Sequence, residues 1–534
     1  MEETHDEKPA PSSHSRNQIL LCFLGMLLMN LVVAIDATAL SVAFPAISKD
    51  IDASFISIYY TGISFLLAWT VSQPVFASFA ALSRRVTISV ILVFFMAGII
   101  VSSLAKETWV LILGRAIQGI GAGGIVALTY VLMADLFTLQ ERAKFISYLT
   151  LVYLVGTITG PLIGGGFSDR VSWRWIFWFQ MPLTALAMIL VPIFTKSVQV
   201  PLTKKQILAG IDWVGMTGFG IGLSLFLIIF SASGVSWPWK HWRTIVGLIL
   251  GALILVATFS LSYLSKMKVR PMIPLVVIKD RTAAINFFGS FSQGMIQCTL
   301  VYYLPLFYQT ARPFSPLMAG VLLLPMCAIS SIFSIVAGQL IARTQRIKRL
   351  SVIGWTLFAL GLIPLSAGAL SVKTPVVGWI FATVLMSIAN GFVIVSCPLA
   401  TQASAEHRSD CAFEERIGIK AMAAALNPFF RALGQVIGVV LGETVISNIL
   451  KKKLSSDEAA NILSIVSQLH SSNARSEQSY LIQAVVDSLN VVWLVLNVVA
   501  VVNMLLSFLT KDFKFEPSVK PEPSKVKVDG LDKQ

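Results

Sequence analysis

Charge is scarce in this 534-residue chain: Asp, Glu, Lys and Arg together make up 13% of it. A soluble protein of that length needs far more charge to cover its surface, so a soluble multidomain reading is excluded. Cysteine is also sparse. The five cysteines, Cys22, Cys298, Cys327, Cys397 and Cys411, are scattered with no CxxC pair, which indicates neither a zinc site nor a disulfide framework. There is no Asn-x-Ser/Thr sequon, so no glycan is expected. No P-loop, HExxH or nucleophile motif occurs, which argues against an enzyme.

What the chain does have is apolar length. Hydrophobic residues make up 56% of it, in recurring runs each long enough to cross a bilayer as a helix. Fourteen spans are expected, at about 18–40, 55–80, 86–105, 108–133, 143–167, 174–195, 211–233, 243–264, 283–310, 316–342, 349–370, 375–398, 417–446 and 488–510. The net charge of +14 does not point to nucleic acid, because the basic residues sit in short turns between spans and form no single patch. Turns on the side of the N-terminal tail hold most of them, including Arg84, Arg85, Arg142, Lys144, Arg343, Arg346, Lys348 and Arg349. By that bias both termini lie in the cytosol. Residues 1–17 and 511–534 read as disordered cytosolic tails, with 18–200 and 271–510 as two six-helix bundles and 201–270 as two linker helices. Trp173, Trp175 and Trp178, then Trp237, Trp239 and Trp242, are placed as interfacial anchors on the opposite surface.

The first span closes on Ile35-Asp36-Ala37-Thr38-Ala39-Leu40-Ser41-Val42-Ala43-Phe44-Pro45. Asp36 is its only ionisable side chain. An acid in hydrocarbon costs about 2.5–3.5 kcal/mol on insertion scales, so it usually persists for a reason, and beside Thr38 and Ser41 it suits a proton or cation site. Pro45 marks the expected helix exit. The fourth span carries Arg115 within Leu111–Gly124, about 10 Å in from its end at 1.5 Å per residue. That is a depth similar to Asp36, so the two are expected to pair beside a shared cavity; the alternative is that each snorkels separately. Gly119, Gly121 and Gly124 fit GxGxxG formally, but inside an apolar helix they read as packing residues.

Gly156, Gly160 and Gly164 fall four apart on one face of the fifth span, which also holds Pro161 and is expected to kink there. Gly434, Gly438 and Gly442 repeat that spacing late in the chain. The turns Gln73–Arg85 and Gly338–Arg349 also echo one another, which suggests internal repeats and alternating access around a central site. Arg431 is the deepest charge of the C-terminal half. With Gln118, Asn286, Gln293 and Tyr302 it is a candidate for lining a substrate cavity, as are Gln180, Gln297, Tyr303 and Asn390.

Taken in order, these motifs resemble the major facilitator superfamily, in its fourteen-helix drug:proton antiporter branch of fungal type. The resemblance rests on Ile35–Pro45, Leu111–Gly124, Gly156–Gly165, Trp173–Phe177 and Phe430–Gly434, and runs from about residue 18 to 510. It implies an all-α membrane protein of two six-helix bundles with two extra central helices. It further implies proton-coupled efflux of a drug, toxin or secondary metabolite, with Asp36 carrying the proton and Arg115 sensing it. The glycines with Pro161, and Arg84 with Arg85, would serve gating. No cofactor is expected beyond the proton gradient, no metal and no nucleic acid. The partners are a small-molecule substrate, protons and the bilayer, the protein acting as a monomer in the plasma membrane, with the vacuolar membrane second. Import or vacuolar exchange of a nutrient such as a siderophore or basic amino acid is the runner-up, and a transport-incompetent sensor a reading from another class. The chain departs from the family where Ala77, Ala81 and Arg84 replace Gly, Asp and Gly in the second-to-third helix turn, where Ser147 replaces a Gly, and in the charged stretch Glu406–Arg416.

Overall fold

The computed structural model describes residues 16–52, 55–80, 83–195, 212–233, 237–264, 273, 275–311, 322–367, 376–406, 413–453 and 479–513. Nearly all are helical; among them there is no sheet, only an isolated bridge between Ser233 and Trp237. The described residues form fourteen long helices: α1 (Arg16–Ile51), α2 (Phe55–Ala80), α3 (Arg84–Ser103), α4 (Thr108–Leu136), α5 (Leu139–Arg170), α6 (Trp175–Phe194), α7 (Trp213–Ala232), α8 (Trp242–Leu264), α9 (Arg281–Ala311), α10 (Leu324–Thr344), α11 (Ile347–Ser366), α12 (Val376–Glu406), α13 (Phe413–Lys453) and α14 (Ser479–Ser507). A short helix, Leu275–Lys279, leads into α9.

Thirteen of these are long and apolar enough to cross a membrane. The exception is α9, which stands in the place of the expected 283–310 span. It is long enough at 31 residues, but Asn286, Ser290, Ser292, Gln293, Gln297 and Thr299 dilute its apolar character. Except for Gln297, these polar groups are buried within the bundle, so the helix needs less apolar surface than a lipid-facing one. By contrast, α8 presents Ile245, Val246, Ile249, Leu250, Leu253 and Val256 outward, as expected of a helix bathed in hydrocarbon.

Helix α1 packs on α5 and α6, and α4 packs on α2 and α3, which builds one bundle. Helix α9 packs on α12, α13 and α14, and α11 on α12 and α14, which builds the other. Helices α7 and α8 pair with each other, with α7 leaning on α2. The bundles meet where α5 faces α10 and where α13 crosses α2 and α4. Phe23 near the start of α1 and Phe513 just beyond α14 pack into the same cluster, which also holds Phe137 and Ile341, so the first and last described helices meet at one face. That surface is called the chain-end face below.

Two local expectations change. Helix α1 does not stop at Pro45. It runs on to Ile51 and ends at Asp52, whose φ of 51° is left-handed. Inside a bundle, neighbouring groups can satisfy the carbonyl that a proline frees. Trp173 is not a lipid anchor: it is buried, and its Nε1 donates to Asp50 Oδ2 at 3.0 Å. Arg174 stacks on its ring at 4.4 Å, donates to the same oxygen at 2.6 Å and reaches the Ala105 carbonyl at 2.8 Å. Three chain segments are thereby stapled on the face opposite the chain ends. Trp175, Trp178 and Trp242 are exposed, as an anchoring role requires.

The candidate tails fall almost wholly outside the described residues, as do Ala81 and residues 407–412 of the charged stretch.

Candidate functional site: a buried ion pair behind a central cavity

The glycine face of α5 sets the position of Asp36. A Cβ at Gly156 would collide with Ala34, one at Gly160 with the Thr38 hydroxyl, and one at Gly164 with the Ala39 carbonyl. Only bare backbone lets α1 lie this close, so Asp36 is clamped between α5 on one side and α4 and α6 on the other. Pro161 sits within the unbroken helix α5. The later glycines make a matching seam: Gly434 and Gly438 abut the Phe291 and Met295 carbonyls, and Gly442 abuts the Tyr303 ring, so α13 lies on α9 as α5 lies on α1.

Arg115 and Asp36 pair, as their depths imply. Arg115 Nη1 donates to Asp36 Oδ2 at 2.6 Å, and the two side chains are 2% and 0% exposed. The separate-snorkelling alternative is thereby excluded. Two glutamines complete the clamp. Gln118 Nε2 and Gln180 Nε2 donate to Asp36 Oδ1 at 3.1 and 2.9 Å. Gln118 Oε1 accepts from Arg115 Nη1 at 2.7 Å, and Gln180 Oε1 accepts from Gln118 Nε2 at 3.1 Å. Asp36 thus accepts three hydrogen bonds, one from the arginine and one from each glutamine. The Arg115 guanidinium lies over the Phe65 ring at 4.2 Å, while its Nε has no partner.

Beside this pair lies a cavity of about 410 Å³, a size that suits a small organic molecule. Arg115 lines it, and Asp36 does not: the acid is sealed behind the arginine. The apolar wall includes Val33, Ile63, Phe65 and Leu66. Arg431 and Tyr302 line the cavity as expected, and so do Gln297, Asn390, Tyr130, Tyr153 and Glu443.

Five candidate lining residues, Gln118, Asn286, Gln293, Gln180 and Tyr303, do not line it; Gln180 belongs to the clamp, and the Tyr303 hydroxyl donates to the Val439 carbonyl at 2.8 Å. Gln118 is buried in the clamp. Asn286 is buried in the bundle, where its amide donates to the Thr282 carbonyl of its own helix. Gln293 bonds Gln297 and Asn390, both at 2.7 Å, and borders only a minor void next to the main cavity. In each case the helix face could not be fixed from a sequence in which all faces are apolar. Gln180 was one polar group among many for the same reason.

The chain-end face is shut. Arg142, at the start of α5, donates to Glu406 Oε1 at 2.7 Å and to Gln402 Oε1 at 3.2 Å, both on α12. Lys420 of α13 shares Glu406 at 2.8 Å. The Ser147 hydroxyl donates to the Ser334 carbonyl at 2.6 Å, and Gly338 leaves room for the Ala143 carbonyl. In the α2–α3 turn, Arg84 is buried and bonds Asp135 at 2.9 Å and the Ala80 carbonyl, while Arg85 points to solvent. Sequence position gave no sign of these pairings, because Arg142 and Glu406 belong to different bundles.

A closed two-bundle helical protein with an ion pair behind its central cavity is the architecture of a membrane transporter. Residues 26–439 match the Major Facilitator Superfamily, and the chain belongs to that family. It is 33% identical over 512 residues to MFS transporter L2 of a Phoma species, covering 93% of this chain and 83% of that protein. It is 31% identical over 438 residues to the MFS-type efflux pump MMF1 of Mycosarcoma maydis, covering 81% and 68%. The fold matches the proton:xylose symporter XylE with a TM-score of 0.57, at 14% identity, over 93% of this chain and 96% of that one.

Proposed function

We propose that this transporter exports small organic compounds, such as drugs, toxins or secondary metabolites, in exchange for protons. The observation that carries the reading is the buried Asp36–Arg115 pair, in which only the arginine reaches the cavity. Protonation removes the negative charge of Asp36 and with it most of the attraction for Arg115. The guanidinium is then free to turn toward the cavity, where it alters the substrate's surroundings. Gln118 and Gln180 hold the carboxylate in place throughout, as positioning residues. The glycine seams on α5 and α13, with Pro161, let the bundles move as bodies, and the basic turn of Arg84 and Arg85 takes part in gating. Arg431 and Tyr302 belong to the substrate cavity.

Export is favoured over import because a related protein of comparable span is named an efflux pump. The basic bias of the turns puts the chain-end face in the cytosol, and the plasma membrane is proposed as the working membrane. The protein acts as a monomer, with the proton gradient as its only energy source. The test uses purified protein in liposomes with a pH-sensitive dye inside and a panel of fungal toxins and antifungals outside. A compound-dependent proton flux that vanishes in Asp36→Asn, with folding intact, supports the assignment. Undiminished exchange by that variant sinks it, and compound movement without protons makes Asp36 a structural residue.

A further inference from the structure

The cavity holds a charge that no described residue balances. Three charged side chains line it: Arg115, Arg431 and Glu443. Arg115 is neutralised by Asp36. Arg431 is not: among the described residues no carboxylate pairs with it, and its guanidinium makes no hydrogen bond. Several polar side chains around the cavity and the adjoining void are occupied with one another. Gln293 bridges Gln297 and Asn390, and Asn390 donates to Ser330 at 2.6 Å. Asn427 Oδ1 accepts from Ser290 and Thr401, each at 3.0 Å. The Tyr153 hydroxyl donates to Asn30 at 3.2 Å.

The arginine is nevertheless held in place. Gly294 of α9 has no side chain where Arg431 passes; a Cβ there would meet the Arg431 carbonyl and crowd its Cγ. Arg431 thus lines the cavity with no hydrogen bond made by its guanidinium, in a pocket whose walls are mostly apolar. Glu443 lies twelve residues further along the same helix, about 18 Å away at 1.5 Å per residue, too far to serve as partner. Gln435 and Val439, at four-residue steps between them, line the cavity too, so this stripe of α13 runs from a positive pole to a negative one.

We infer that Arg431 is the recognition site for an anionic group on the substrate, so that the transported compounds are organic acids: an apolar body carrying a carboxylate, enolate or sulfonate. The inference rests on reading the cavity as the substrate site. A planar guanidinium with free donors matches a carboxylate or sulfonate in two-point geometry, which a lysine would not reproduce. The apolar body lies against Val33, Ile63 and Leu66 of the facing bundle. The ligand thereby touches both bundles at once.

Equilibrium binding separates this inference from the transport reading. Fluorescein, an anion, and rhodamine 123, a cation, share a xanthene scaffold, and both are read by fluorescence anisotropy against the purified full-length protein in detergent. The expected result is saturable binding of fluorescein at least about tenfold tighter than that of rhodamine 123. Arg431→Gln should weaken fluorescein by about tenfold and should not weaken rhodamine 123, from which it removes a repelling charge, with Arg431→Lys intermediate. Thermal unfolding of each variant checks that the fold is kept. Absence of saturable fluorescein binding, tighter binding of rhodamine 123, or an Arg431→Gln affinity within twofold of the parent each overturns the proposal. Binding as expected without any proton-coupled flux would leave the anion site standing and remove the antiport reading.

Discussion

Arg142 and Glu406 are separated by 264 positions in the chain and by 2.7 Å in space, and their ion pair joins the two bundles on the chain-end face. Arg142 also donates to the Phe137 and Ala134 carbonyls of its own bundle, so it is anchored before it reaches across. Glu406 is gripped from both bundles, by Arg142 and by Lys420. Substituting Arg142 by Ala should let this face open. The readout is maleimide labelling of Ser334→Cys, followed by mass spectrometry of the labelled peptide. Ser334 is fully buried, so labelling is expected to be slow in the parent and at least about tenfold faster with Arg142→Ala, the change that about 1.4 kcal/mol of lost closure produces. Equal rates would mean that Ser147–Ser334 and the apolar contacts close the face without the ion pair.

The α1–α5 seam makes a stability prediction. Gly160→Val puts branched carbon where the Thr38 hydroxyl and the Ile35 carbonyl already lie, and overpacking of this kind costs about 1–3 kcal/mol. The melting temperature in detergent should fall by several degrees. Gly166→Ala is the control, because nothing stands within 4 Å of a Cβ there, and it should melt like the parent.

The α2–α3 turn offers a charge exchange. Arg84 is 4% exposed and rests on Asp135. Asp135→Ala leaves a buried guanidinium with only the Ala80 carbonyl, so expression and thermal stability should drop. The double exchange Arg84→Asp with Asp135→Arg should recover part of the loss. If the double variant is no better than Asp135→Ala, the pair is incidental to the turn.

Asp50 gives the acid limb of stability. It lies beyond the apolar stretch of α1, where hydrogen bonds from Arg174 and then Trp173 hold its carboxyl below the usual carboxylate range. A carboxyl whose pKa is depressed by folding contributes stability above its unfolded value, near 3.9, and loses that contribution as pH falls through the lower folded value. The melting temperature of Asp50→Asn should therefore lie below that of the parent at pH 6–7, with the gap narrowing below about pH 4. Because the Asp50 side chain is 46% exposed, the gap is expected to be small, on the order of a degree or two. A gap that stays constant across pH would remove Asp50 from the acid response.

Much of this was legible in one dimension because a bilayer imposes strong rules. Span lengths follow from membrane thickness, and a lone acid and a lone arginine at one depth had few partners other than each other. Four-residue glycine spacing identified the α1–α5 and α9–α13 seams, although not which helices would fill them. What could not be read was rotation. In a helix apolar on every face, nothing in the order of residues says which side meets the cavity, so Gln118 and Gln293 were assigned to the wall and Gln180 was not singled out for the clamp. Contacts between bundles were hidden as well. Arg142 reads as one more basic turn residue, and only the fold brings Glu406 to it. Trp173 misled for a related reason, since an indole at a span boundary looks alike whether it faces lipid or the Asp50 carboxylate.

Sealing Asp36 behind Arg115 also bears on idle protein. In the reading proposed above, a carboxylate open to the cavity would pick up and release protons whether or not a substrate was present, and the gradient would drain through empty turnovers. In that reading the arginine covers the acid in the resting protein, so a proton gains Asp36 only during a transient loosening of the pair, which protonation then makes lasting. A carbodiimide, which reacts with accessible carboxyl groups, should accordingly label Glu443 at the cavity wall while sparing Asp36 in the resting protein. The ion pair is then a lock against leakage as much as a carrier of charge.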